Sequence, residues 1–166
     1  MKTISTNIYS FNELSPEAKA KAIENERNHE TYLNYDWYSF AYDAITEELE
    51  RYGYSDIKIN FSGFSSQGDG ASFTGQLDLK DWLKGASKEV KEKYNEIVNL
   101  EGIACDVLRN SSHYVHENTC YIDLKTYDNV PLTEWDKVSE LEKLLESERL
   151  DLCKNIYKTL KKQKNS

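Results

Sequence analysis

Ile57-Lys58-Ile59-Asn60-Phe61-Ser62-Gly63-Phe64-Ser65-Ser66-Gln67-Gly68-Asp69-Gly70-Ala71-Ser72-Phe73-Thr74-Gly75-Gln76-Leu77-Asp78-Leu79 decides the fold. Ile57, Ile59 and Phe61 alternate with polar residues, and so do Phe73, Gly75, Leu77 and Leu79. Period two is the mark of a strand with one buried face. The small polar residues between the two runs form a hairpin connection longer than a two-residue turn. Strands are therefore predicted over 56–64 and 71–79, paired antiparallel.

Helical spacing takes over on both sides. Before the hairpin, Ser15-Pro16-Glu17 carries the signs of a helix start: a capping hydroxyl, a proline suited to the first turn, and an acid at the positive end. It predicts a helix over 16–29. Trp37, Phe40, Ala41, Ala44, Ile45 and Leu49 recur at three and four residues and predict a second over 35–52, stopped by Gly53. After the hairpin, Val90, Tyr94, Ile97 and Val98 predict a helix over 87–99. Ile103, Cys105 and Val107 then alternate across a strand at 102–109. Cys120, Ile122 and Leu124 alternate within a strand drawn over 113–125.

Thr133 is a candidate cap for a closing helix over 133–162. That helix carries Trp135, Val138, Leu141, Leu144, Leu145, Leu152, Ile156, Tyr157 and Leu160, with a break expected near Ser147. The order is ααββαββα. It implies an α+β fold, a four-stranded antiparallel sheet with helices on one face, in a single domain over 1–166 that frays from 160. The expected core is Trp37, Phe40, Ile45, Leu49, Ile59, Phe61, Leu77, Leu79, Ile103, Ile122, Leu141 and Ile156.

The 166 residues suit one domain, and twenty aromatic side chains can furnish both a core and a binding face. No apolar run approaches the roughly 18 residues of a membrane span, and the first residues lack the apolar stretch of a signal peptide. Cys105, Cys120 and Cys153 have no Cys-x-x-Cys spacing and read as free thiols of a cytoplasmic protein. The net charge is −8. Ten acids face four basic residues in the first fifty, whereas Lys154–Ser166 holds five lysines and no acid. Direct nucleic-acid binding is not expected of such a chain, because it needs a basic stripe. The acidic helix bearing Glu47, Glu48 and Glu50 suits a basic partner surface.

Two stretches carry candidate chemistry. In the hairpin loop, Ser62, Ser66, Gln67, Gly68, Asp69, Gly70 and Ser72 combine flexible backbone with hydroxyl, amide and carboxylate groups, the make-up of a ligand- or partner-binding loop. The same residues also serve as ordinary turn chemistry. The lack of a following Gly-Lys-Ser/Thr excludes a Walker A loop. In His113-Tyr114-Val115-His116-Glu117-Asn118-Thr119-Cys120, either histidine is a candidate functional group beside the polar loop, or a plain surface residue. On a strand the two would face opposite ways, so no metal site is expected, and no cofactor. Asp78-Leu79-Lys80 and Asp123-Leu124-Lys125 have the form of a nuclease metal triplet, but one common by chance in such a composition.

Four pieces then carry a family resemblance. They are Phe11-Asn12-Glu13-Leu14-Ser15-Pro16-Glu17-Ala18-Lys19, Tyr35-Asp36-Trp37, Phe61-Ser62-Gly63-Phe64 with Ser66-Gln67-Gly68-Asp69-Gly70-Ala71-Ser72-Phe73, and Ile156-Tyr157-Lys158-Thr159-Leu160. In this order they resemble a family of small tailed-phage and prophage proteins, often described as antitoxins of a toxin–antitoxin stability system. The lysine-rich end departs from relatives, which continue with acidic and aromatic residues. The resemblance implies a phage accessory protein acting in the host cytoplasm. The leading expectation is a non-enzymatic binding protein that inhibits a bacterial antiviral system. It would block an effector protein, as an anti-CRISPR does, or sequester a small nucleotide signal. The alternatives are a nucleotide- or phosphoester-processing enzyme using Asp69 with His113 or His116, and an antitoxin neutralising a cognate toxin.

Overall fold

A computed structural model describes residues 10–27, 39–63, 68–110, 113–126 and 130–164. They fall into two compact units, 1–36 and 37–166. In the first, a 3-10 turn at Phe11–Glu13 leads into helix α1, Pro16–Arg27. Both the amide and the hydroxyl of Ser10 donate to Glu13 Oε2, at 2.7 and 2.8 Å. Ser15 Oγ accepts from the Ala18 amide at 3.2 Å, as expected of a helix-capping serine.

The second unit runs α2 (Ser39–Arg51), β1 (Tyr54–Ser62), β2 (Gly70–Leu77), α3 (Leu79–Gly85), α4 (Lys88–Val98), β3 (Ile103–Arg109), β4 (Cys120–Thr126) and α5 (Trp135–Lys164). The strands form one antiparallel sheet in the order β1-β2-β3-β4. This is the expected α+β fold with one helix more. Ile59 pairs with Phe73, Phe61 with Ala71, Leu77 with Cys105, and Val107 with Ile122. These side chains share one face, where α5 packs on β2 and β4 and α2 packs on β1. Lys58, Gln76, Tyr121 and Lys125 stand on the other face and are exposed.

One extra residue in β1 aligns its two halves. Asp56 takes φ 51° at a bulge between Ser55 and Lys58, so both Tyr54 and Ile57 contribute to the core. Gly75 lies opposite, where a Cβ would come within 2.7 Å of the Ser55 carbonyl.

The additional helix corrects the expected strand over 71–79. Asp78 turns the chain, its carboxylate accepting from the amides of Lys80 (2.8 Å) and Asp81 (3.0 Å). Its own amide donates to the Gly53 carbonyl. Leu79 is buried as expected, but from a helix, beside Trp82 and Leu83. The strand expected over 113–125 is likewise shorter and starts at Cys120. Thr119 donates through both its amide and its hydroxyl to the His116 carbonyl, closing a local 3-10 turn instead of a ladder.

Helix α5 has no break near Ser147. Val138, Leu141, Leu145, Arg149, Cys153, Ile156 and Leu160 are all buried, at spacings of three and four. Its start is also corrected, since a 3-10 turn at Leu132–Glu134 precedes it and Trp135 stays half exposed. At the sheet edge, the Ile122 amide donates to Glu146 Oε2 on this helix, at 3.0 Å.

Of the expected core, Ile45, Leu49, Leu77, Leu79, Ile122, Leu141 and Ile156 are buried, and Ile59, Phe61 and Ile103 pack against them half-covered. Trp37 lies outside the described residues. Phe40 is a correction, being 83% exposed. It stands five residues before Ile45, about 140° around a helix turning 3.6 residues per turn, so it points away from the face that α2 buries. Leu141→Ala should therefore lower unfolding free energy by about 2–5 kcal/mol. Phe40→Ala should leave it within about 0.5 kcal/mol. Urea titration of both variants measures the contrast.

Candidate functional site

The two stretches singled out from the sequence meet in space. Gly68 and Asp69, just before β2, line a shallow cleft of about 410 Å³ with Tyr114, His116, Glu117 and Asn118, and Gly70 packs against His116 beside it. The contact is close enough to explain both glycines. A Cβ on Gly70 would sit 2.5 Å from His116 Cα, and one on Gly68 would sit 2.2 Å from the Tyr114 ring, where φ is also +95°. The glycines thus admit the chain's own second loop.

Each side of the cleft is held in place. Ser62 Oγ donates to Asp69 Oδ1 at 2.9 Å, tying the end of β1 to the start of β2. Arg109, the last residue of β3, donates from Nη1 to Asn60 Oδ1 (3.2 Å) and from Nη2 to the Tyr114 carbonyl (2.9 Å). His116 Nδ1 accepts from the Asn118 amide at 3.2 Å, which leaves Nε2 as the protonated nitrogen of the neutral ring. The rings of His113 and His116 lie 4.2 and 6.2 Å from Tyr114, which is 41% exposed between them. At the end of α5, Lys161 donates to the Tyr157 hydroxyl at 3.0 Å, which raises its pKa, and the nearby Asp69 charge adds to the effect.

Beneath this cleft lies a charged group that the sequence reading passed over. Arg149 is 1% exposed. It meets Glu146 through two bonds, Nε to Oε2 at 3.0 Å and Nη2 to Oε1 at 2.6 Å. Its Nη1 donates to the Glu117 carbonyl at 2.5 Å and to Cys120 Sγ at 3.0 Å. A buried guanidinium needs such partners, because an unpaired buried charge is costly. Arg149 thereby fixes the turn whose first residues line the cleft.

Among the predicted site residues, the structure joins Gly68, Asp69, Gly70 and His116, with Ser62 behind Asp69 and His113 at the rim. Ser72 is fully buried and its Oγ has no partner among the described residues, so it faces no cleft. Ser66 and Gln67 lie outside the described residues. Glu47, Glu48 and Glu50 are exposed on α2, with Glu47 3.7 Å from Arg51. Tyr114, Asn118 and Arg109 were missed. The only sequence sign was Arg109, a charge at an inward position of an alternating strand. Asp78 of the first triplet caps α3, and Lys125 of the second pairs with Asp106 at 2.6 Å.

A larger cleft of about 670 Å³ lies at the opposite end of the sheet, lined by Gln76, Asp78, Lys80, Glu101, Asp106 and Lys125. Its Lys125 and Asp106 are already engaged with each other. Among the described residues no cluster of three or more His, Cys, Asp or Glu is placed to hold a metal, and no helix is long and apolar enough to cross a membrane.

Residues 37–166 match the model of a family described as a domain of unknown function, DUF8835. The chain belongs to that family. Neither a curated protein nor a solved structure matches it.

Because the two loops interlock without room for a Cβ, Gly70→Ala should destabilise the fold by about 1–3 kcal/mol, the usual effect of overpacking. It should also speed amide exchange at 116–119. Gly85→Ala serves as the contrast, since nothing lies within 4 Å of its added Cβ. A neutral or slightly raised stability is expected there. Equal loss in both variants would mean that the interlocked contact contributes nothing.

Proposed function

We propose that this protein acts by binding, and that the paired loops 68–70 and 113–118 are its docking surface for a basic patch on a partner protein. The observation that carries the reading is the exposed Tyr114 ring, held between two histidines and flanked by Asp69 and Glu117. An aromatic ring with a polar tip, fixed by its neighbours, loses little entropy on binding and is a common interface anchor. Carboxylates beside it favour a guanidinium or ammonium group, which an aromatic face also attracts. The same carboxylates disfavour phosphate, so a protein partner fits better than a nucleotide signal. The exposed acids of α2 extend the preference for a basic partner.

Following the motif resemblance, the partner is a protein of a bacterial antiviral defence system, and binding blocks its action. The test is to express the chain in bacteria that each carry one defined defence system and to score phage plating. Plating should recover in one host. Asp69→Ala and Tyr114→Ala should each weaken the captured complex by about 1–3 kcal/mol, the effect of leaving buried partners unsatisfied. Both variants should stay folded, with Asp69→Ala losing no more stability than the roughly 0.5–1.5 kcal/mol of its bond from Ser62. No recovery in any host would remove the anti-defence reading. Undiminished affinity in both variants would move the docking surface away from these loops.

A further inference from the structure

Three cysteines are buried, but their surroundings differ. Cys105 sits in the core with Asp106 beside it, and burial pushes its thiol up to about 12. Cys120, at the start of β4, and Cys153, in the middle of α5, lie with their sulfurs 3.7 Å apart. Arg149 Nη1 stands over both, 3.0 Å from Cys120 Sγ and 3.7 Å from Cys153 Sγ. Two sulfurs in van der Waals contact under a guanidinium form an arrangement that plain hydrophobic packing does not require.

We infer that Cys120 and Cys153 are a redox-active dithiol, which a small peroxide converts to a disulfide joining β4 to α5. The two cysteines play different parts. The hydrogen bond shared with Cys153 is the main influence holding the Cys120 thiol below its ordinary pKa, and Arg149 reinforces it. The same bond, with burial, raises Cys153. Arg149 Nη1 lies nearer to Cys120 Sγ than to Cys153 Sγ, and Cys120 is the one that borders the turn Glu117–Thr119, so Cys120 is the attacking thiolate and Cys153 the resolving thiol.

In the first step Cys120 Sγ attacks one peroxide oxygen. The S–O bond forms, the O–O bond breaks, and the departing hydroxide takes up the proton that Cys120 had released, giving water. In the second, Cys153 Sγ attacks the sulfenic sulfur. The S–S bond forms, the S–O bond breaks, and the hydroxide leaves as water with the Cys153 proton. Two thiols and one hydrogen peroxide become one disulfide and two waters.

Access selects the oxidant. Cys120 and Cys153 are 2% and 0% exposed, which excludes bulky disulfides. Cys120 directly follows the short turn Glu117–Thr119, whose Asn118 is exposed, so brief opening of one turn admits a molecule of peroxide size.

The test uses the intact, folded protein, exposed to hydrogen peroxide, alkylated, and digested without reduction. A peptide pair linking Cys120 to Cys153 is expected, lighter than the two free peptides by two hydrogens. Cys105 should remain reduced and appear alkylated once the chain is unfolded for digestion. In Cys153→Ser treated with peroxide and then unfolded in dimedone, an adduct should accumulate at Cys120. The wild-type cross-link decides the matter even if that variant folds poorly. No linked pair, a link to Cys105, a link between molecules, or one formed only in denaturant would each overturn the inference.

Discussion

The buried Arg149 guanidinium is the constraint around which the second unit is organised. A charge removed from water must find its partners within the fold, and this one collects them from three elements. Glu146 comes from the same helix, the Glu117 carbonyl from the turn, and Cys120 from the start of β4. Sliding α5 by one residue along β4 would strand the charge without partners, whereas an all-apolar seam tolerates slippage more readily. The arginine thus sets the register between helix and sheet. Through Glu117 it also sets the position of the loop that touches Gly68 and Gly70.

Seen from that centre, the candidate site is a junction between two strand connections rather than a single loop. The β1–β2 connection contributes small residues and Asp69, and the β3–β4 connection contributes the rings and Asn118. Each would be ill-defined alone. Held by the Ser62–Asp69 bond on one side and by Arg109 and Arg149 on the other, they present a surface whose geometry exists before any partner arrives. Preorganisation of this kind reduces the ordering entropy that binding must overcome.

The strand pairs and most helices were legible because their apolar periods are regular. Ile57-Ile59-Phe61 and Val90-Tyr94-Ile97 read the same way in sequence and in space. The failures share a cause: a polar residue with a specific structural task. Asp78 was read as part of a strand because capping is decided by where its carboxylate finds amides. Arg149 interrupts the apolar stripe of α5 in sequence yet fills it in space, so a break near Ser147 was inferred where none exists. Phe40 shows the converse, an apolar residue placed inward by type although its angle on the helix turns it out. The loops were singled out for composition, but no spacing rule brings residue 70 to residue 116. That contact is created by the sheet, which sets β2 beside β3 and β3 beside β4.

The bond from the Ile122 amide to Glu146 has a consequence beyond packing. Strand β4 is the outermost strand of the sheet, and an outer strand with free amides invites the strand of a neighbouring molecule to continue the ladder. Here a carboxylate of α5 occupies an amide of that edge, so an incoming chain would have to displace this side chain before it could pair there. The helix that completes the core therefore also guards the protein against growing into fibres along this side.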